Sequence, residues 1–176
     1  MLTIQDKFNV LLSCSRFREV ESCQELHRLV EEDARLCELN WCKLTGISSL
    51  VVAQVSCDCH DFVQRLTHVV KNMPWSIREL LKIQPIDLVV ESNLEAIRAG
   101  TQQLATRMPK EAKFRVNLHR RDTDLDRKTL LHEVAIQFPG EVDLEDFEWI
   151  CSVEILGPIT GLALVKESEI LTMRRP

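Results

Sequence analysis

Glycine is scarce in this chain, with five in all, at positions 46, 100, 140, 157 and 161. Phosphate cradles need clustered glycines so that backbone amides can close on the oxygens, and these five form neither GxGxxG nor GxxxxGK followed by Ser or Thr. That argues against a nucleotide hydrolase or a dinucleotide-binding enzyme. A GxSxG elbow and an HExxH pair are also missing, which removes the usual serine hydrolase and metalloprotease readings. Long apolar runs are absent too: the longest, such as Leu50 to Val55, suit a buried strand and fall far short of the ~20 residues of a membrane span. The N-terminus shows no signal-peptide succession of charged, apolar and small residues, so a cytoplasmic protein is expected. Seven cysteines is an odd count, and most lie inside helical or strand patterns, so reduced, packed thiols are expected in place of a disulfide scaffold.

What is present is a chain of 176 residues, 45% hydrophobic, enough for one good core or two small ones. Alternation over Phe8, Val10 and Leu12 reads as a strand, and Val20, Leu26, Leu29, Val30 and Leu36 as a helix. Glu19, Glu21, Glu25, Glu31, Glu32 and Asp33, interleaved with Arg18, Arg28 and Arg35, read as that helix's solvated face. A buried strand is expected over Ile47 to Val55, then a helix from Asp58 or Cys59 with Phe62, Leu66, Val69 and Val70 on one face. Pro74 and Pro85 bracket a helical turn around Ser76 to Lys82 before a strand from Ile86 to Val90, giving the order βαβαβ. A helix from Leu94 to Met108 stops at Pro109, and Lys113 to Arg121 alternates as a half-buried strand. Thr123 and Asp126 have capping-box spacing before a helix through Phe138, and two closing strands, Trp149 to Leu156 and Ile159 to Val165, turn at Gly157-Pro158. The last strand, apolar on both faces, is expected to be central. The whole reads as an α+β fold of two lobes dividing near residue 90.

Two clusters imitate catalytic or metal sites. Cys57, Asp58, Cys59 and His60 offer zinc-like ligands, but the spacing differs from Cys-x(2–4)-Cys and no second pair is visible. A strand end with Cys57 packed and Asp58 capping the next helix accounts for them. Glu145, Asp146 and Glu148 could serve a metal or acid/base site, and a solvated loop accounts for them as well. Neither a metal nor a cofactor is expected.

The sharpest signal is basic. In a chain of net charge -5, cations gather at Lys113, Arg115, Arg120, Arg121, Arg127 and Lys128, with His119 cationic when protonated. Alternation places Lys113, Arg115, His119 and Arg121 on one face and Arg120 toward the core, while Arg127 and Lys128 open a helix, where cations oppose the macrodipole. A bound phosphate would resolve that conflict; the other reading is that Asp122, Asp124 and Asp126 neutralise the arginines in surface pairs.

The runs Phe114 to Asp122, Leu125 to Ala135, Val142 to Leu144, Val153 to Ile155 and Gly161 to Val165 resemble a THUMP domain, an RNA-binding module of tRNA-modification enzymes. Phe8 to Ser13, the helix with Glu25 and Leu26, Thr45 to Ile47 and the strand led by Pro85 resemble the ferredoxin-like domain that precedes it. The resemblance covers nearly the whole chain and implies a ferredoxin-like domain over residues 1–90 and a THUMP domain with a mixed sheet over 91–176. The family often continues Asn-Pro-Asp after the segment matching Val142 to Leu144, where this chain has Glu145, Asp146 and Phe147, and the helix before it ends in Phe138, Pro139 and Gly140.

THUMP modules are commonly fused to a methyltransferase, thiouridine synthetase or deaminase domain, and none is expected in a chain ending at Pro176. The resemblance is nearest to THUMP-only adaptors, and so implies a non-enzymatic tRNA-binding protein that holds the acceptor end for a separate enzyme, first of all the acetyltransferase that forms 4-acetylcytidine. Neither a membrane nor DNA is an expected partner. Lys113, Arg115, His119, Arg120, Arg121, Arg127 and Lys128 are the expected RNA contacts, and Arg121→Glu is expected to weaken tRNA binding without unfolding the chain. The alternatives are an RNA-binding subunit of a thiolation or methylation enzyme, a ferredoxin-like domain that binds a small regulatory ligand, and a stand-alone enzyme.

Overall fold

Apolar residues at spacings of two and of three to four resolve into two sheets and four α-helices in a computed structural model that describes residues 1–173. One unit comprises Phe8–Ile86 with residues 168–173, and the other Leu2–Lys7 with Asp87–Glu167.

The first unit runs β1 (Val10–Cys14), α1 (Glu19–Glu32), β2 (Leu39–Leu44), β3 (Leu50–Val55), α2 (Cys59–Asn72) and β4 (Leu80–Pro85). Its strands lie in the order β4, β1, β3, β2, all antiparallel, which is a ferredoxin-like sheet. The helices cover one face: Leu26 and Leu29 of α1 and Phe62, Val63 and Leu66 of α2 pack on Val10, Leu12, Val51, Ala53 and Ile83. Asp58 caps α2, its carboxylate accepting the Asp61 amide at 3.0 Å. Glu25 is not on a solvated face: it is buried, and its carboxylate accepts the amides of Arg78, Glu79 and Leu80 at 2.6 to 3.0 Å, fixing the start of β4 against α1.

The second unit runs β5 (Leu88–Glu91), α3 (Leu94–Ala105), β6 (Lys113–His119), α4 (Arg127–Ala135), β7 (Glu141–Val142), β8 (Trp149–Leu156) and β9 (Ile159–Val165). Its sheet has the order β5, β9, β8, β6, β7 and is mixed: β6 runs parallel to β7 and β8, and β9 antiparallel to β5 and β8. Ile97 and Leu104 of α3 and Leu130 and Val134 of α4 bury Phe114, Leu118, Cys151, Val153, Leu162 and Leu164 of the sheet. At roughly 1.5–3 kcal/mol per fully buried side chain, this layer is a main source of the unit's stability. β9, buried at every residue, is interior as its composition predicts. After a short 3-10 turn (Glu167–Glu169) the chain returns to the first unit as β10 (Leu171–Thr172), antiparallel to β4.

Several details differ from the sequence reading. The order of the first unit is βαββαβ: β2, whose residues are half-buried or exposed, has too weak an apolar pattern to announce itself. The expected helical turn over residues 76–82 is a 3-10 turn at Pro74–Ser76 followed by β4. The expected strand from Ile86 to Val90 is divided, because the Asp87 carboxylate accepts the Leu164 amide at 2.8 Å and pairs with Arg107 at 3.0 Å, so the chain joins the second sheet from there. Cys37 and Cys57, expected as free thiols, form a disulfide, and five cysteines remain free. A cut near residue 90 also leaves residues 168–173 with the second lobe, whereas β10 closes the first sheet.

Candidate nucleic-acid interface

β6 carries the basic segment. It is paired with β8 along its length, but β7 covers only Lys113 and Phe114 on the other side, so from Arg115 onward this edge has no strand partner among the described residues. Phe114 and Leu118 are buried beneath the helices, while Lys113, Arg115 and Asn117 are half-buried and His119 is exposed, as two-residue alternation requires. Arg120 is exposed and does not point to the core, because β6 ends at His119 and alternation ends with it.

The seven cations have unequal environments. His119 Nδ1 lies 3.0 Å from Glu154 Oε1, and Arg121 donates to Glu154 Oε2 at 2.7 Å. Lys113 bridges Asp143 at 3.2 Å and Asp146 at 3.0 Å, contacts that push its pKa up. Arg120 donates to the Leu125 carbonyl at 2.6 Å, and Arg127 to the Leu118 carbonyl at 3.1 Å on the free edge of β6. The Arg115 guanidinium lies over the Phe147 ring, 5.1 Å from its centroid, with Nε buried and unbonded. The Lys128 side chain is exposed and without a partner among the described residues. Carboxylates therefore pair directly with Lys113, His119 and Arg121, whereas Arg115, Arg120, Arg127 and Lys128 form no salt bridge among the described residues, with Asp126 the nearby anion. A guanidinium has five N–H donors, so one bond to a carbonyl leaves it able to grip a phosphate.

The neutralising carboxylates are not Asp122 and Asp124. Asp126 instead is the N-cap of α4, accepting the Thr129 amide and hydroxyl at 2.9 Å each. Those bonds, with the charge of Arg120 contributing, hold its carboxyl below the ordinary range. The first-turn cations Arg127 and Lys128 thus have an internal anion beside them, and no phosphate is needed to offset the helix dipole. Thr123 is not the cap: its hydroxyl accepts the Leu125 amide at 3.3 Å within the preceding loop.

Glu154 was not among the expected site residues, although a lone acid in an apolar strand demands a partner. Burial pushes its carboxyl up, but the hydrogen bond with His119 and the charge of Arg121 outweigh that and hold it below its ordinary range. The acidic loop before β8 folds on itself, the Asp143 carboxylate accepting the amides of Glu145 and Asp146, and it occupies Lys113. In the Cys57–His60 cluster, Cys57 is disulfide-bonded, Asp58 caps α2 and His60 Nδ1 lies 3.0 Å from Glu169.

No family model matches this chain, and no curated protein matches it. Solved structures do. PH1313 from Pyrococcus horikoshii is similar over 90% of this chain and 55% of its own, with 16% identity and a TM-score of 0.61. TrmN from Thermus thermophilus is similar over 94% of this chain and 46% of its own, at 13% identity and TM-score 0.54. A 4-thiouridine synthetase, in complex with RNA and ATP, is similar over 90% of this chain and 42% of its own, at 10% identity and TM-score 0.51. The likeness is one of fold, and the chain spans about half the length of these structures. The α+β class, with a ferredoxin-like lobe and a mixed-sheet lobe, is the fold observed. No helix among the described residues is long and apolar enough to cross a membrane.

Proposed function

We propose that this chain binds tRNA through the second unit and serves as an adaptor for a separate modification enzyme, without catalysis of its own. The observation that carries the proposal is the group Arg115, Arg120, Arg127 and Lys128, four cations that form no salt bridge among the described residues, on one strand, the loop after it and the adjoining helix start. Support also comes from the shared fold with a synthetase whose structure holds RNA. Contacts of this kind go to phosphates and sugars, so recognition is of shape and not of base sequence. The acetyltransferase forming 4-acetylcytidine is the first candidate for the enzyme served; a thiolation or methylation enzyme is the alternative.

Arg127→Glu combined with Lys128→Glu is the test in a filter assay with tRNA. The double variant should bind at least tenfold more weakly, because each lost phosphate contact also removes roughly 0.7–0.9 from the slope of log K against log salt. Unchanged retention and slope would remove this surface from the proposal. Loss of one modified nucleoside from the tRNA of cells lacking the chain identifies the enzyme: 4-acetylcytidine supports acetylation, a thiolated or methylated nucleoside the alternative. Arg121→Glu is unsuitable, since it would set a second carboxylate against buried Glu154.

A further inference from the structure

β2 is an edge of the first sheet, paired with β3 on one side and with no strand on the other among the described residues. Cys42 lies opposite Ala53 in that pairing, and Ala53 lies opposite Val10 of β1, so the three side chains share one face of the sheet. The helices cover that face: Val10 and Ala53 pack in the core with α1 and α2, and Cys42 packs against the same core. Cys23 of α1 belongs to that core as well, and its thiol meets the Cys42 thiol in a hydrogen bond.

The five free thiols thus stand in unequal surroundings. Cys151 in the second unit and Cys14 in the first are buried, and burial pushes both thiols up. Cys59 is buried and donates to the Ile86 carbonyl at 3.5 Å. Cys23 and Cys42 differ from these in meeting each other, and half-buried Cys42 opens their contact to solvent at the sheet edge. The Cys42 S–H is donated to the Cys23 sulfur, which holds the Cys23 thiol below its ordinary value and pushes Cys42 up. A thiolate on Cys23 is the nucleophile of such a pair, and the thiol beside it resolves what the nucleophile forms.

We infer that Cys23 and Cys42 form a dithiol site that a peroxide converts into a second disulfide, fastening α1 to the edge strand β2. This does not rest on the RNA reading. The Cys23 thiolate attacks one peroxide oxygen and the O–O bond breaks; the leaving hydroxide takes up the proton that the thiol released and becomes water, and Cys23 is left as a sulfenic acid. The Cys42 sulfur then attacks the Cys23 sulfur, the S–O bond breaks, and the departing hydroxide leaves as a second water with the Cys42 proton. Two thiols lose two electrons and two protons, and one peroxide becomes two waters. Because the sulfurs already meet, closing them to a bond of about 2.05 Å asks little of the backbone. The existing Cys37–Cys57 bond ties the approach to β2 to the end of β3. With both bonds in place the exposed edge strand is held from the sheet side and from the helix side, and local opening of that edge is suppressed.

The test uses the full chain with the Cys37–Cys57 bond intact, treated with a small excess of hydrogen peroxide, alkylated with N-ethylmaleimide and mapped by mass spectrometry without reduction. The map should show a linked peptide pair holding Cys23 and Cys42, and two fewer alkylated thiols than the five of the untreated chain. The melting temperature should rise by about 5 °C or more, since the new bond closes a further loop of the unfolded chain. In Cys42→Ser the link should vanish and the Cys23 sulfenic acid should persist long enough for dimedone to capture it. The map is read on the wild-type chain, so a variant that folds poorly does not leave the question open. Cys42 joined to Cys14, Cys37 or Cys57 overturns the inference, as does separate sulfinic or sulfonic acid on Cys23 and Cys42. A dimer on a non-reducing gel that disappears with Cys42→Ser overturns it in favour of a bond between two copies. Five intact thiols at a peroxide concentration that oxidises free glutathione also overturn it.

Discussion

Glu154 joins two of the expected RNA contacts, and its titration can be followed. Its folded pKa is held below the ordinary value, so the pair with Arg121 and His119 contributes stability that is fully present above the unfolded carboxylate range, about 4.3, and is lost as pH falls through the lower folded value. Glu154→Gln should cost roughly 2 kcal/mol at pH 7, since hydrogen bonds to charged groups are worth about 1.5–3 kcal/mol. The melting-temperature gap between wild type and Glu154→Gln should close as the buffer is taken below pH 4; a gap that persists would show that the carboxylate's charge is not what matters. Lys113→Gln, by contrast, should leave tRNA retention nearly unchanged, because Asp143 and Asp146 already hold that ammonium. The cations themselves are legible in the chain from their density. Their availability is not, because Glu154 lies far along the sequence from Arg121 and only sheet register brings them together.

Among the elements, β6 and α4 are held by devices that substitution can probe one at a time. Asp126→Ala removes the N-cap of α4 and should cost about 1 kcal/mol, with a matching loss of helix start beside Arg127 and Lys128. A Cβ on Gly140 would run into the Ala112 carbonyl, so Gly140→Ala should destabilise the β7 edge by about 1–3 kcal/mol in chemical denaturation. The disulfide has a geometric origin. Leu39 pairs with Val55 in the antiparallel register of β2 and β3, and two residues further out the same register sets Cys37 opposite Cys57, with Cα atoms 5.8 Å apart. Once β2 is missed, that register is invisible, and packed thiols are the natural reading of the composition. Cys37→Ser with Cys57→Ser should lower stability by about 3 kcal/mol, the closure entropy of a loop of this size; no change on reduction would place the bond outside the folding equilibrium. Helices α2 and α3 were readable because their apolar stripes are strong, Asp58 caps one and Pro109 follows the other. β2 and β4 were not, because one is largely exposed and the other is fixed by Glu25 from a distant helix.

At the scale of the whole molecule, the unit that carries the basic strand and helix start is also the more acidic of the two, so its available positive charge is local to β6 and the start of α4. The fold class follows from alternating strands and helices, whereas the exchange of termini between the units does not, since a two-residue strand has no pattern to read. That exchange bears on synthesis. The residues of β1 to β4 leave the ribosome well before β10, and at ~5–20 residues per second the intervening unit takes on the order of ten seconds to appear. For that interval the outer edge of β4 has no strand beside it, and an unpaired strand edge is the kind of surface on which a nascent chain recruits a chaperone or joins a neighbour. The last strand of the first unit is therefore its latest protection, and truncation before Leu171 should show first in the yield of soluble protein.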